Sequence, residues 1–582
     1  MKNKERKVLV IILAVLITFS MTMTAGAEDV QKNSMRIGVT KEIDSLSPFI
    51  SYSSMGYEVF SLLYDPLVGI NENLDSTPDI ATEWSLSDDQ LVWTFKLRDD
   101  VKWSDGEPLT SNDVKFTYDL ISNSGLGLYS GYLEGITSVE CPDDYTVVIT
   151  TEEPKANMLL NSTPIIPEHI WADVDEEDLE TWGNDAPVGT GPFKFSEFKK
   201  GEYLKLVANE DYFGTKPSID ELIFVLYANT DVMTQALKLG EIDAATNISP
   251  VQLEQLKGEG NIDAISAVGY GFTQLSFNSS EDPSSKGNKL LLDKNIKKAI
   301  EYSIDKKKIL NMVYGGQGTE GTTLIPPDGF YHYEPSEDEL RSYNVEKANE
   351  LLDSSGYMDS DGDGIREDKD GNKLSFVFSL RAENAQEDNA GQIIASMAKE
   401  VGINLDVELI DDGVLIDKIY SSDFDMFIWG WGTDLDPTTI LAVMSTDQIG
   451  NLSDCNYSNE DYDNLLKVQQ SKMDKTERQS VVWDMQKIIY EDAPYIILLY
   501  DNDLQAVRTD KWTNWKRIPE DGGYFFNLTN YNYLNVKPTG EAVSAQGGEN
   551  TDSGKSNSGM IALVTVIVIG VLYFIFKKKN KK

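Results

Sequence analysis

The chain has 582 residues, with 96 acidic against 51 basic side chains and a formal net charge of −45 at pH 7. Such a field repels nucleic acid and anionic lipid and favours solubility, which excludes a polyanion as partner. Two cysteines and two histidines leave no material for a disulfide framework or for a metal cage built from imidazoles.

At the start, Lys2, Lys4, Arg6 and Lys7 precede an uncharged apolar run over 8–19, and Ala25-Gly26-Ala27 supplies small residues. This is the layout of a secretory signal peptide over 1–27, cleaved before Glu28. With the +3 of residues 1–27 and the +5 of 577–582 set aside, the exported stretch carries −53. Roughly 510 residues then lie ahead of the C-terminal tether, too many for a single core, so at least two domains are expected.

Strand-like and helix-like segments alternate along this body, the pattern of an α/β protein. A strand is expected over 35–39, then a helix over 57–64. Leu91, Trp93, Phe95 and Leu97 alternate with Val92, Thr94, Lys96 and Arg98, the period of a strand with one buried face. Ser104-Asp105-Gly106 is a turn, and Thr110 with Asp113 forms a capping box for a helix burying Val114, Tyr118 and Ile121. A strand over 146–151 and a helix over 169–182 follow. Gly189-Thr190-Gly191-Pro192 is a turn lacking the lysine and spacing of a phosphate loop. Strands over 204–208 and 222–226 precede a helix over 231–239 that ends at Gly240.

Further on, one long amphipathic helix is expected over 289–314, a second over 347–352, then strand, helix and strand over 374–380, 392–400 and 405–409. An aromatic strand over 424–431 runs into Gly432-Thr433-Asp434-Leu435-Asp436-Pro437. A helical stretch over 462–489 breaks near Asp474. The Gly-, Ser- and Asn-rich stretch 540–559 is a flexible tether. Residues 560–576 are 17 without a charge, followed by five lysines over 577–582. That is just long enough for a membrane helix, with a basic tail directed to the cytoplasm.

Several ordered stretches resemble one family. They are LVWTFKLRDDVKWSDGEPLTSNDVKFTYD (91–119), DSLSPF (44–49), YDPLVG (64–69), VGTGPFKF (188–195), NEDYFG (209–214), IKKAIEYSIDKKKIL (296–310) and WDMQKIIYEDAPYIILLY (483–500). Together they look like the family-5 extracellular solute-binding proteins, the peptide and nickel receptors of ABC importers. The resemblance implies a two-lobed, periplasmic-binding-protein-like α/β fold of class II with an extra subdomain in the first lobe. It assigns 28–75, 186–272 and 498–539 to lobe I, 76–185 to the extra subdomain and 273–497 to lobe II. Segments over 270–278 and 495–500 would cross between them as a hinge. Cys141 and Cys455 would then sit on different lobes as free thiols. The implied function is capture of oligopeptides or dipeptides by a monomer that hands them to an ABC permease and its ATPase subunits. An oligosaccharide or nickel-chelate receptor, or a surface sensor or adhesin, is the alternative. No nucleotide-binding motif, Gly-x-Ser-x-Gly or His-Glu-x-x-His is present, so no enzyme is expected.

In peptide receptors of the resembled family, the aspartate of a Trp-x-x-Asp segment holds the ligand's α-ammonium group, and Asp434 matches that position. Trp429 and Trp431 lie two apart on a strand and so share a face. Tyr52, Tyr57, Tyr270 and Phe272 match cleft-lining stretches, with core packing as the plainer role of each. Arg381, after a strand, reads as half of an ion pair. Asp359, Asp361 and Asp363, continuing to Glu367 and Asp370, have the alternate-carboxylate spacing of a calcium loop, against the plainer reading of an Asp/Gly turn. No other cofactor is expected.

Overall fold

The alternation around Met35 and Ile37 forms the strand Ser34–Val39, in which both of these side chains are fully buried. In the computed structural model this strand pairs in parallel with Glu221–Leu226 on one side and Ala244–Ala245 on the other. Residues 32–540 are described, except 52, 125–128, 328, 433–434, 521 and 527–528. The expected signal peptide, the membrane helix, the basic tail and nearly all of the tether lie outside the described residues. Among the described residues no helix is long and apolar enough to cross a membrane.

Tyr203–Ala208 and Phe193–Lys199 extend the first sheet antiparallel beyond Glu221–Leu226. On its other side runs the strand Tyr495–Arg508, which also joins the second sheet. Its later half, from Asn502, pairs with Ile262–Val268, while its earlier half pairs with Gly271–Phe277 and Gly318–Glu320. The second sheet continues through Met426–Gly432 and Ser375–Arg381 to Asn404–Ile410.

The apolar clusters divide at these crossings. Those of the first lobe draw on residues up to Ala267 and from Leu504 onward. Those of the second lobe draw on residues from Phe272 to Tyr500. The fold is therefore a two-lobed α/β architecture joined by two adjacent backbone crossings, near 268–271 and 500–503.

The extra subdomain is a four-stranded antiparallel sheet ordered Ala81–Leu86, Val92–Leu97, Thr146–Thr151, Ile136–Asp143. Trp93, Phe95 and Leu97 are buried, and the helix Ser111–Ser124 covers them with Val114, Tyr118 and Ile121. Asp113 accepts from the Thr110 amide at 2.8 Å, the capping bond that the sequence pattern implies. Its side chains belong to the same cluster as Ile37 and Leu206, so subdomain and first lobe share one core. Gly189 and Gly191 let the following turn lie against the helix Ser54–Leu63: a Cβ at Gly189 would stand 1.9 Å from the Leu63 carbonyl oxygen.

Two helices differ from expectation. The stretch 289–314 is a short 3₁₀ turn followed by Lys294–Ser303 and Lys306–Val313. Asp305 breaks it by accepting from the Lys308 amide at 2.9 Å, which starts a new helix. The stretch 169–182 is helical only over Glu168–Trp171 and a 3₁₀ turn at Glu176–Asp178. Both cysteines are free.

Candidate functional site

Strand Met426–Gly432 lies next to the first crossing and sorts its side chains by parity. Met426 and Ile428 enter one cluster of the second lobe, while Phe427, Trp429 and Trp431 take the other face. Trp431 stands opposite Phe272 and Trp429 opposite Gln274. The half-buried Trp431 donates its indole N–H to Asp454 at 3.1 Å. Asp454 is buried and also accepts from the Tyr495 hydroxyl and, at 3.4 Å, from Gln274. Burial outweighs these donors and pushes its carboxyl up to about 6.

Trp429 is half-buried beneath the Arg381 guanidinium, 4.5 Å from its ring centre. Arg381 in turn donates through Nε to Glu387 at 2.9 Å and through a second nitrogen to the other carboxylate oxygen. It is thus the ion-paired arginine that its sequence context suggests, with the indole added as a stacking partner.

Beyond Gly432 the chain reaches Asp434, which lies outside the described residues. Asp436 is 2 % exposed and held by Arg478 through two bonds of 2.5 and 3.0 Å. It also accepts at 2.9 Å from the amide of Thr438, the first residue of the helix Thr438–Ala442, whose N-cap position is Pro437. Arg478 is 42 residues away, so this pair is not legible from local sequence. Arg478 further binds Thr438 at 2.9 Å and Gln469 at 3.0 Å, so this buried pair is fully hydrogen-bonded.

The lobes meet again here. Ala156 of the subdomain donates its amide to the Gln470 carbonyl at 2.9 Å, and Met473 packs on the first-lobe cluster. Lys155 is partly buried beside Asp436 and Arg478, and burial lowers its ammonium to about 8. This is a second contact between the lobes besides the two crossings.

Of the aromatic candidates, Tyr57 is half-buried in the helix Ser54–Leu63, tilted against Tyr129 at 5.6 Å. Tyr270 lies within the first crossing, 6.1 Å from Tyr524, whose hydroxyl accepts its amide at 2.9 Å. Phe272 is 1 % exposed and packs with Ile497, Tyr500 and Ile440. It is a core residue of the second lobe and not an exposed wall, because its strand is covered on both faces. Tyr52 lies outside the described residues.

Two half-buried carboxyls, Asp501 in the second crossing and Glu58 on the helix Ser54–Leu63, escaped the sequence reading. Asp501 accepts from the Thr273 hydroxyl at 2.7 Å, and burial pushes it up to about 6. Glu58 accepts from Tyr533, and burial, with the Asp503 charge adding, pushes it up to about 7. The signal for Asp501 was present: an apolar strand that turns abruptly to Asp501-Asn502-Asp503.

Away from this space, Asp359, Asp361, Asp363 and Glu367 bring carboxylate oxygens within 4.8 Å of one another. Asp370 is not among them. Glu367 pairs with Lys373 as an antiparallel bridge, and the intervening turn, closed by Asp368, carries Asp370 away.

Comparison with known proteins gives a consistent result. The profile of the bacterial extracellular solute-binding proteins, family 5 Middle, matches residues 75–451. The oligopeptide-binding protein AppA of Bacillus subtilis is 26% identical over 87% of this chain and 95% of its own length. Its structure in complex with a nonapeptide superposes with a TM-score of 0.75, covering 88% of this chain and 99% of that one. A putative ABC transporter peptide-binding protein of Brucella ovis is 30% identical over 68% of this chain and 73% of its own. The structure of NikZ from Campylobacter jejuni in complex with Ni(L-His) matches with a TM-score of 0.74 at 26% identity, over 87% of this chain and all of that one.

Proposed function

This chain belongs to the bacterial extracellular solute-binding proteins of family 5, and we propose that it captures oligopeptides or dipeptides between its lobes for delivery to an ABC permease. The observation that carries the proposal is the division of the cores. Each lobe's clusters stop at the double crossing, so rotation about 268–271 and 500–503 opens the space without breaking either interior. The peptide-binding relatives support the ligand class.

Trp429, Trp431, Tyr52, Tyr57 and Tyr270 are the proposed aromatic walls, and Asp434 the partner of the ligand's α-ammonium group. The bound peptide leaves unaltered, in keeping with the binding proteins that this chain resembles. The protein works as a monomer outside the cell, exported by residues 1–27 and tethered to the membrane by 560–576. Release of the intact chain into the culture medium would contradict the tether.

The ligand test is mass spectrometry of whatever the purified chain releases on denaturation. Peptides support the proposal; a sugar or a nickel–amino-acid chelate overturns the ligand class. With a recovered peptide in hand, Asp434→Ala is expected to weaken binding at least about tenfold, the scale of one charge-assisted bond. N-acetylating the peptide is expected to cost wild type a similar factor and the variant almost nothing. Equal losses in both proteins would reject the anchor.

A further inference from the structure

We infer that residues 359–367 form a calcium site on the second lobe, with Asp359, Asp361, Asp363 and Glu367 as ligands. The inference is independent of the peptide-binding reading. Calcium takes oxygens at about 2.4 Å, so two ligands on opposite sides of the ion stand about 4.8 Å apart. The four carboxylates bring one oxygen each within 4.8 Å of all the others, the diameter of that shell.

The loop has the spacing such a shell needs: carboxylates at its first, third and fifth positions and glycine at the sixth. Gly364 fills that sixth position at φ +91°, a conformation L side chains rarely adopt. Position nine is Glu367, and it supplies the independent sign of a missing cation. Glu367 is 5 % exposed; its Oε2 accepts from the Ser360 amide at 2.8 Å, while its buried Oε1 has no hydrogen-bond partner. A buried carboxylate oxygen left so is costly, and Glu367 groups with the three exposed aspartates, its Oε1 facing the Lys373 ammonium that Asp361 and Asp363 hold.

Lys373 competes for this group. Its ammonium bonds Asp361 at 2.9 Å and also Asp363, but stands 4.0 Å from Glu367 Oε1. A single positive charge thus balances two of four carboxylates and leaves the buried one unserved. Lys373 is 39% exposed, so its head can swing into water when a divalent ion enters. The loop is otherwise braced: Arg366 reaches Asn349 at 2.9 Å and the Val401 carbonyl at 2.9 Å. An ion here would fix the hairpin between the helix Val345–Ser354 and the strand Ser375–Arg381.

The test is isothermal titration of the full-length chain, first stripped with EDTA, with calcium and separately with magnesium. One calcium is expected to bind with a Kd of about 10⁻⁴–10⁻³ M, the range of extracellular modules, and to raise the Tm. Magnesium, which demands a smaller octahedral shell, should bind at least about tenfold more weakly. Asp361→Asn, at an exposed position, and Glu367→Gln should each weaken calcium at least about tenfold, because ligand charge count sets affinity. Asp370→Asn should bind like wild type, and Lys373→Met as tightly or tighter. No heat and no Tm change up to about 10 mM calcium, ten times the weakest expected Kd, would overturn the site. So would binding that survives Asp361→Asn and Glu367→Gln, or that disappears in Lys373→Met.

Discussion

Asp454 concentrates three demands on one carboxyl: it orients the Trp431 indole, accepts from Tyr495 on the crossing strand, and sits buried among them. With its folded pKa raised to about 6, the folded state holds a proton that the unfolded chain gives up at lower pH. Its contribution to stability is therefore fully present below the ordinary aspartate range and is lost as the pH rises through about 6. The expected outcome is that Asp454→Asn, whatever its baseline cost, loses less Tm than wild type between pH 4 and pH 7. Parallel Tm profiles across that window would show that Asp454 titrates as an ordinary aspartate. The residue types at the site were legible in the sequence: paired tryptophans on an alternating strand, and carboxylates beyond its end. Their partners were not, because Asp454, Arg478 and Glu387 reach Trp431, Asp436 and Arg381 through contacts that local periodicity does not encode.

Among the elements, strands with one buried face were read closely, as Val92–Leu97 and Glu221–Leu226 illustrate. Failures came where a local signal competes with a pattern that continues through it. Apolar spacing runs unbroken over 289–314, yet Asp305 caps a new helix at Lys306. Asp305→Ala is expected to destabilise the chain by about 1 kcal/mol in urea unfolding, the usual worth of such a cap. An unchanged midpoint would mean that tertiary packing alone sets the break. The long strand Tyr495–Arg508 was underestimated for the opposite reason. Asp501-Asn502-Asp503 ends the apolar run, while pairing with Ile262–Val268 carries the strand onward into the first lobe. Sequence hydrophobicity reports burial, and a crossing strand is least apolar where it passes between two cores.

For the molecule as a whole, the resemblance implied two lobes, and the division of apolar clusters at 268–271 and 500–503 supplies the physical reason for them. The contact between Ala156 and Gln470 joins the lobes at a second place besides those crossings, as a closed conformation requires. A ligand that binds the closed form better shifts the population toward it by that difference in affinity. Small-angle X-ray scattering of the ligand-stripped chain, with and without a saturating peptide recovered from the protein itself, tests this most directly. The account predicts a smaller radius of gyration on peptide addition, approaching the value calculated for the closed structure. Peptide bound with demonstrable affinity and a scattering curve unchanged from the stripped protein would contradict capture between the lobes.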